Sequence, residues 1–263
     1  MVAFDERLTL VEHLDELRKR LIHAAVALAA GVLVAGLLNN VVFDLLLRPL
    51  DTLPPGAPHK ITTFSPAEPF MVSLKVWVYM GIIIASPVIL WEFWAFVGPA
   101  FAPTSRRLLV GIVATCAGLF LFGVAFGYLI VLPKGLGWLF GFNSQYFNTQ
   151  ARASDYFSFV AWFLVAFGAV FLAPVVIVAA VRIGVVDVKF LRKHWRYAIV
   201  INAVIAMVAT PSQDAFSFIA MFIPLEILYE LSLIVAKVAE RRRVRAQQDE
   251  QPPGDEGPTT VPT

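Results

Sequence analysis

Between His13 and Leu21 the chain reads His-Leu-Asp-Glu-Leu-Arg-Lys-Arg-Leu: two carboxylates, Asp15 and Glu16, followed by three cations, Arg18, Lys19 and Arg20. On a helix, residues three and four apart are neighbours, so Glu16 reaches Arg20 and Asp15 reaches Arg18 or Lys19. The plainest reading is a set of surface ion pairs, each contributing about 0.2–0.5 kcal/mol. The other chemistry-bearing residues converge on nothing. His13, His23, His59 and His194 are scattered without metal-ligand spacing, and no glycine-rich phosphate loop is present. The single cysteine, Cys116, lies in an apolar run and excludes an intramolecular disulfide framework and a zinc cluster. A net charge of +2 is too small to argue for nucleic acid. A membrane enzyme is therefore disfavoured, and no cofactor or metal is expected.

The charged run opens the first of several long apolar stretches. Thr9 and Glu12 fit a capping box, which accounts for Glu12, and Leu10, Leu14, Leu17 and Leu21 follow at helical spacing. This is a short amphipathic helix feeding a membrane span. Hydrophobic residues make up 59% of the chain, charged residues 15%, and mean hydropathy is +0.74, too little charge to cover a water-soluble surface. Six apolar segments follow, at about 21–47, 72–96, 108–131, 157–181, 197–209 and 215–236. The first four each exceed the roughly 20 residues needed to cross a bilayer core. The fifth, about 20 Å of helix, must thin the membrane or sit low in the bundle. The first apolar run follows a charged helix and is too long for a cleaved leader, so the first span is expected to remain.

The basic residues set an orientation. Arg7, Arg18, Lys19, Arg20, Arg106, Arg107, Arg182, Lys189, Arg192, Lys193, Arg196, Lys237, Arg241, Arg242, Arg243 and Arg245 are 16 of the 21 Lys and Arg, and all fall on one side of six spans. Both termini are then expected in the cytoplasm. Arg48, Lys60, Lys75, Lys134 and Arg152 remain for the other side or its boundary. The loop from Arg48 to Phe70 holds six prolines, and the loop after Leu132-Pro133 carries Trp138, Phe140, Phe142, Tyr146 and Phe147. Either loop could form a structured outer cap; loose aromatic anchors explain the second equally well. The residues from about Gln247 to Thr263 read as disordered.

In sequence order, His13 to Leu21, Pro49, Ser65-Pro66-Ala67-Glu68-Pro69-Phe70, Ala85-Ser86-Pro87-Val88-Ile89-Leu90, Trp94 to Phe101, Arg106-Arg107, Phe122-Gly123 to Tyr128, Leu132-Pro133, Ala166-Phe167-Gly168, Pro174, Thr210-Pro211, Asp214 and Ile223-Pro224 to Glu230 resemble the TatC family, the integral core of the twin-arginine protein translocase. The resemblance covers about residues 8–240. It implies an all-α integral membrane protein: one domain over 1–240, six transmembrane helices in a concave, glove-like bundle with the last two short, and a basic, then disordered tail over 241–263. It implies no covalent catalysis. The family recognises the twin-arginine signal peptides of folded precursors at the cytoplasmic face of the bacterial inner membrane. It self-associates into a multimeric receptor and recruits single-span TatA- and TatB-type subunits, and the proton-motive force drives export. By position Glu16 matches the signal-binding glutamate, with Arg18, Phe96, Ser105 and Arg106 around it. Pro49, Glu68, Pro87, Glu92, Asp214, Glu226 and Glu230 fall at groove or partner positions. A carboxylate suits such a ligand because a guanidinium offers it two parallel hydrogen bonds that an ammonium cannot reproduce.

Two positions depart from the family. Ser105 stands where a second acid is frequent, and Leu172 where a glutamate is common in the fourth span. Glu92 is expected to compensate in part by facing the groove. Lys75 reads either as a snorkelling cation or as half of a functional pair, and Asn202 as glue between helices. Glu226 and Glu230 share a helical face and should turn to protein or water. Pro87, Pro99, Pro133, Pro174 and Pro224 are expected to kink or end helices, and the basic stretch from Arg182 to Arg196 to contact anionic lipid or the surroundings of a signal peptide. Two rivals to a receptor are a small-molecule secondary transporter, which would need related halves and midplane carboxylates, and a membrane scaffold without a recognition site.

Overall fold

The computed structural model describes residues 10–51, 53, 61–97, 106–142, 146, 150–183, 185–210 and 215–249. Ten helices account for nearly all of it: α1 Leu10–Leu37, α2 Asn39–Asp51, α3 Glu68–Val97, α4 Arg106–Phe126, α5 Leu132–Gly141, α6 Ala153–Val170, α7 Ala173–Ile183, α8 Val188–Lys193, α9 Trp195–Ala209 and α10 Ala215–Asp249. Five stretches are long and apolar enough to cross a membrane: Glu12–Leu37, Glu68–Val97, Leu109–Gly141, Ala153–Val181 and Ala215–Val238. The shorter apolar helix α9, about 22 Å long, is the sixth. The last helix is longer than the sequence suggests. It runs to Asp249, past the expected end near Ala236, so α9 alone is short.

Small residues set the closest approaches. A Cβ on Gly31 of α1 would lie 2.5 Å from the Gly81 carbonyl oxygen of α3, and one on Gly81 would lie 2.8 Å from the Val32 backbone nitrogen. Only glycine at both positions lets the two backbones touch, the usual device where helices pack without a hydrophobic driving force. Gly123 and Gly127 likewise make room for Phe167, and Gly168 for the Phe120 ring. The core forms where α3, α4 and α6 meet, around the fully buried Val76, Cys116, Val160, Leu164 and Phe167.

The prolines have specific answers. Pro49 lies inside α2, so no N–H reaches the Leu45 carbonyl one turn back. The Tyr128 hydroxyl donates to that oxygen at 2.7 Å, and Tyr156 donates to the Leu46 carbonyl at 2.7 Å. Pro87 inside α3 frees the Ile83 carbonyl in the same way, and the Ser86 hydroxyl donates to it at 2.8 Å. Both helices therefore continue through their prolines, and α2 extends beyond the expected limit at Leu47. The third span also runs on past Pro133, which was expected to end it. The backbone passes through a π-helical turn, Gly127–Val131, where the Leu132 N–H reaches back five residues to Gly127, and α5 begins. Trp138 and Phe140 are therefore on a helix rather than in a loop; Trp138 stacks on Phe216 of α10 with centroids 5.6 Å apart. Among the described residues only Pro174 breaks its span, separating α6 from α7 at Phe171–Leu172, whereas α10 continues through Pro224.

A two-residue parallel bridge pairs β1 Ile61–Thr62 with β2 Ala151–Arg152. It ties the connection before α3 to the connection before α6. Helices α7, α9 and α10 form a second group, joined to the first by the Trp162 indole N–H, which donates to the Ala209 carbonyl at 2.9 Å. An apolar cavity of about 730 Å³ lies between α6, α7, α9 and α10, lined among others by Trp162, Leu172, Ile205 and Leu225.

Candidate functional site

At the N-terminal end of α1 the geometry is an ionic chain across two helices. Glu16 and Arg20 are one turn apart, and Arg20 Nη2 donates to Glu16 Oε1 at 3.2 Å. The same guanidinium turns its other terminal nitrogen to α3, where Nη1 donates to Glu92 Oε2 at 3.0 Å. His23 Nδ1 stands 3.6 Å from Glu92 Oε1. Glu92 is the less exposed of the two carboxylates, 13% against 28% for Glu16. Two turns before Arg20 on α1, the His13 ring stacks on Phe96 with centroids 4.5 Å apart and planes at 19°. Asp15 pairs with Lys19 at 2.6 Å, both exposed, and Arg18 is exposed. The close crossing at Gly31 and Gly81 holds α1 against α3 and so keeps Glu16 and Glu92 within reach of one guanidinium.

A second polar cluster lies at the bridge end of the bundle. The Glu68 side chain, 5% exposed, accepts from Phe64 N at 2.8 Å, Arg152 Nε at 2.8 Å and Ser154 N at 3.2 Å. A buried carboxylate is stable only when paired and hydrogen-bonded, and here three donors from two connections satisfy it. The Glu68 carboxylate, first by hydrogen bond and then by charge, raises the Arg152 guanidinium further above its ordinary range. Arg152 also lies over the Phe64 ring at 5.8 Å. Glu68 is thus a structural hub in the described residues. Lys75 lines a neighbouring cavity with Tyr79, Asp155 and Trp162.

Glu16, Glu92 and Phe96 are thus brought together at one end of the bundle, with Arg18 exposed nearby. Arg106 opens α4, while Ser105 and Asp214 lie outside the described residues, as do Thr9, Pro99 and the tail beyond Asp249. Pro49 and Pro87 are absorbed into helices. Asn202 donates to Glu226 Oε1 at 3.2 Å, joining α9 to α10 as expected, whereas Glu230 one turn on is exposed. Sequence reasoning missed Arg20 as a shared partner, having paired it with Glu16 alone. It also left out His13, set aside for want of metal spacing. A signal for both existed, since each sits one turn from Glu16 on the amphipathic helix, but nothing in the sequence places α3 beside them.

A family model described as Sec-independent protein translocase protein (TatC) matches residues 12–224. The chain belongs to the TatC family. Curated TatC proteins resemble it along nearly their whole length. The one from Desulforapulum autotrophicum is 37% identical, with 91% of this chain and 88% of that protein covered. The one from Aquifex aeolicus is 36% identical, with 91% and 99% covered. A crystal structure of the twin arginine translocase receptor TatC superposes with a TM-score of 0.77 at 36% identity, covering 87% of this chain and all of that one. This TatC chain is therefore a membrane-embedded subunit of the Sec-independent translocase, a protein-transport system, and works with the other components of that system. Its nearly all-helical fold matches the expectation drawn from sequence. In this TatC, Leu172 sits at the α6–α7 break against an apolar cavity whose polar lining side chains are Trp162, Asn202 and Tyr229.

Proposed function

We propose that this chain is the signal-peptide receptor of the translocase. Glu16 accepts an arginine of the Arg-Arg pair carried by a folded precursor, and Arg18, Phe96, Ser105 and Arg106 surround the bound segment. The single observation that carries the reading is the state of Glu16: it is partly exposed at the mouth of the bundle, and among the described residues its Oε2 makes no hydrogen bond. One oxygen is thus open to a second guanidinium, while the His13–Phe96 stack beside it offers an apolar and aromatic floor. The receptor lies in the bacterial inner membrane with both termini cytoplasmic, assembles into multimers, recruits TatA- and TatB-type single-span subunits, and passes folded cargo under the proton-motive force. Glu230, exposed on a membrane-spanning helix where a carboxylate needs a partner, supports a protein-facing role for that side of α10.

Photo-crosslinking from the N-terminal end of α1 to a twin-arginine precursor in native membranes tests this. A crosslink that drops at least about tenfold with Glu16→Ala, and equally with Lys-Lys in place of Arg-Arg, is the expected result, the loss of a charge-assisted contact. A crosslink indifferent to both changes would reduce the chain to a scaffold.

A further inference from the structure

Arg20 divides its fork. A guanidinium can place two parallel N–H groups on one carboxylate, and at i+4 Arg20 is well placed to do so with Glu16. Instead Nη1 goes to Glu92 at 3.0 Å, and Nη2 alone reaches Glu16, at 3.2 Å. The shorter contact is on the less exposed carboxylate, where the attraction is less screened. Glu92 comes from a different helix, 72 residues away, and is held there by the α1–α3 crossing.

We propose that Glu92 is a positioning residue for Glu16: it draws Arg20 aside, leaving one Glu16 oxygen free for an arginine of the signal peptide. Without Glu92, Arg20 closes both N–H groups onto Glu16 and competes with the ligand inside the same molecule. This rests on Glu16 being the signal-binding group, and it assigns Glu92 no contact with the peptide.

The test is binding of a fluorescent peptide, an Arg-Arg pair followed by an apolar segment, to the full-length protein in lipid nanodiscs. Glu92→Gln weakens binding by about fivefold, the upper range for a partly exposed ion pair, and adding Arg20→Gln to Glu92→Gln restores it. Rescue separates the idea from a merely structural role, since a damaged fold or a lost direct contact is not repaired by a second deletion. Unchanged binding in Glu92→Gln, or no rescue in the double variant, overturns the proposal. The reading of Glu16 is scored separately by Glu16→Ala and by a Lys-Lys peptide. If both bind like wild type, that reading fails and this one with it; if both bind weakly, the receptor stands whatever Glu92 does.

Discussion

Polar atoms inside this bundle are satisfied one by one, and the clearest case is the hydroxyl of Tyr128 on the Leu45 carbonyl. That oxygen needs a donor because Pro49 cannot supply one. Removing the hydroxyl with Tyr128→Phe should cost about 1 kcal/mol, the low end of the penalty for an orphaned acceptor, because this one is only partly buried. The cost should shrink in a Pro49→Ala background, where residue 49 regains its N–H and can donate to Leu45. Reversible unfolding in mixed micelles, run as a double-mutant cycle, measures this directly; an undiminished cost would mean that the hydroxyl acts through something other than the proline. Ser86 plays the same part beside Pro87, which the sequence marks as a kink or helix end, so Pro49 and Pro87 are both built into continuous helices. The prolines were legible in the sequence. Their partners were not, because Tyr128 lies 83 residues from Leu45 and no local pattern links them.

Helix against helix, the decisive contact is the backbone approach of α1 and α3 at Gly31 and Gly81. A side chain at Gly31 meets main-chain atoms that cannot rotate away, so Gly31→Val should destabilise by about 1–3 kcal/mol through overpacking. Gly118 has nothing within 4 Å of a built Cβ, and Gly118→Ala should be neutral or stabilising by up to about 1 kcal/mol. Equal effects at the two positions in the same unfolding assay would refute a special role for the crossing. Gly31→Val should also weaken Arg-Arg peptide binding, because the same crossing aligns Glu16, Arg20 and Glu92. The sequence showed a glycine in each helix, but a glycine in an apolar run is compatible with any neighbour. The π-helical turn before Pro133 was equally hidden, since no residue type is reserved for it.

For the molecule as a whole, the charge distribution makes an orientation testable. In a Cys116→Ala background, which removes the one buried thiol, a cysteine at Phe64 and one at Glu240 report opposite ends of the bundle; both positions are exposed. An impermeant maleimide added to intact cells should label Phe64→Cys and should reach Glu240→Cys only after the membrane is opened. The reverse pattern would overturn the placement of both termini in the cytoplasm. In the expected orientation, Glu68 and the short bridge between residues 61–62 and 151–152 would lie on the outer side, where they hold two loop connections together away from the proposed signal-peptide site.

The sequence by itself determined the membrane class, the number of apolar segments, the short fifth helix and the charged helix that leads into the first span. Each follows from local composition and periodicity, which act through the solvation of one segment at a time. It also singled out Glu16, because that residue belongs to a contiguous, recognisable run. Tertiary structure alone decided that Arg20 is shared with Glu92, that His13 stacks on Phe96, and that Glu68 is buried and paired with Arg152. These are contacts between residues far apart in the chain. They exist because two glycines let α1 and α3 touch and because a two-residue bridge joins distant loops, and neither cause leaves a periodic trace in the sequence.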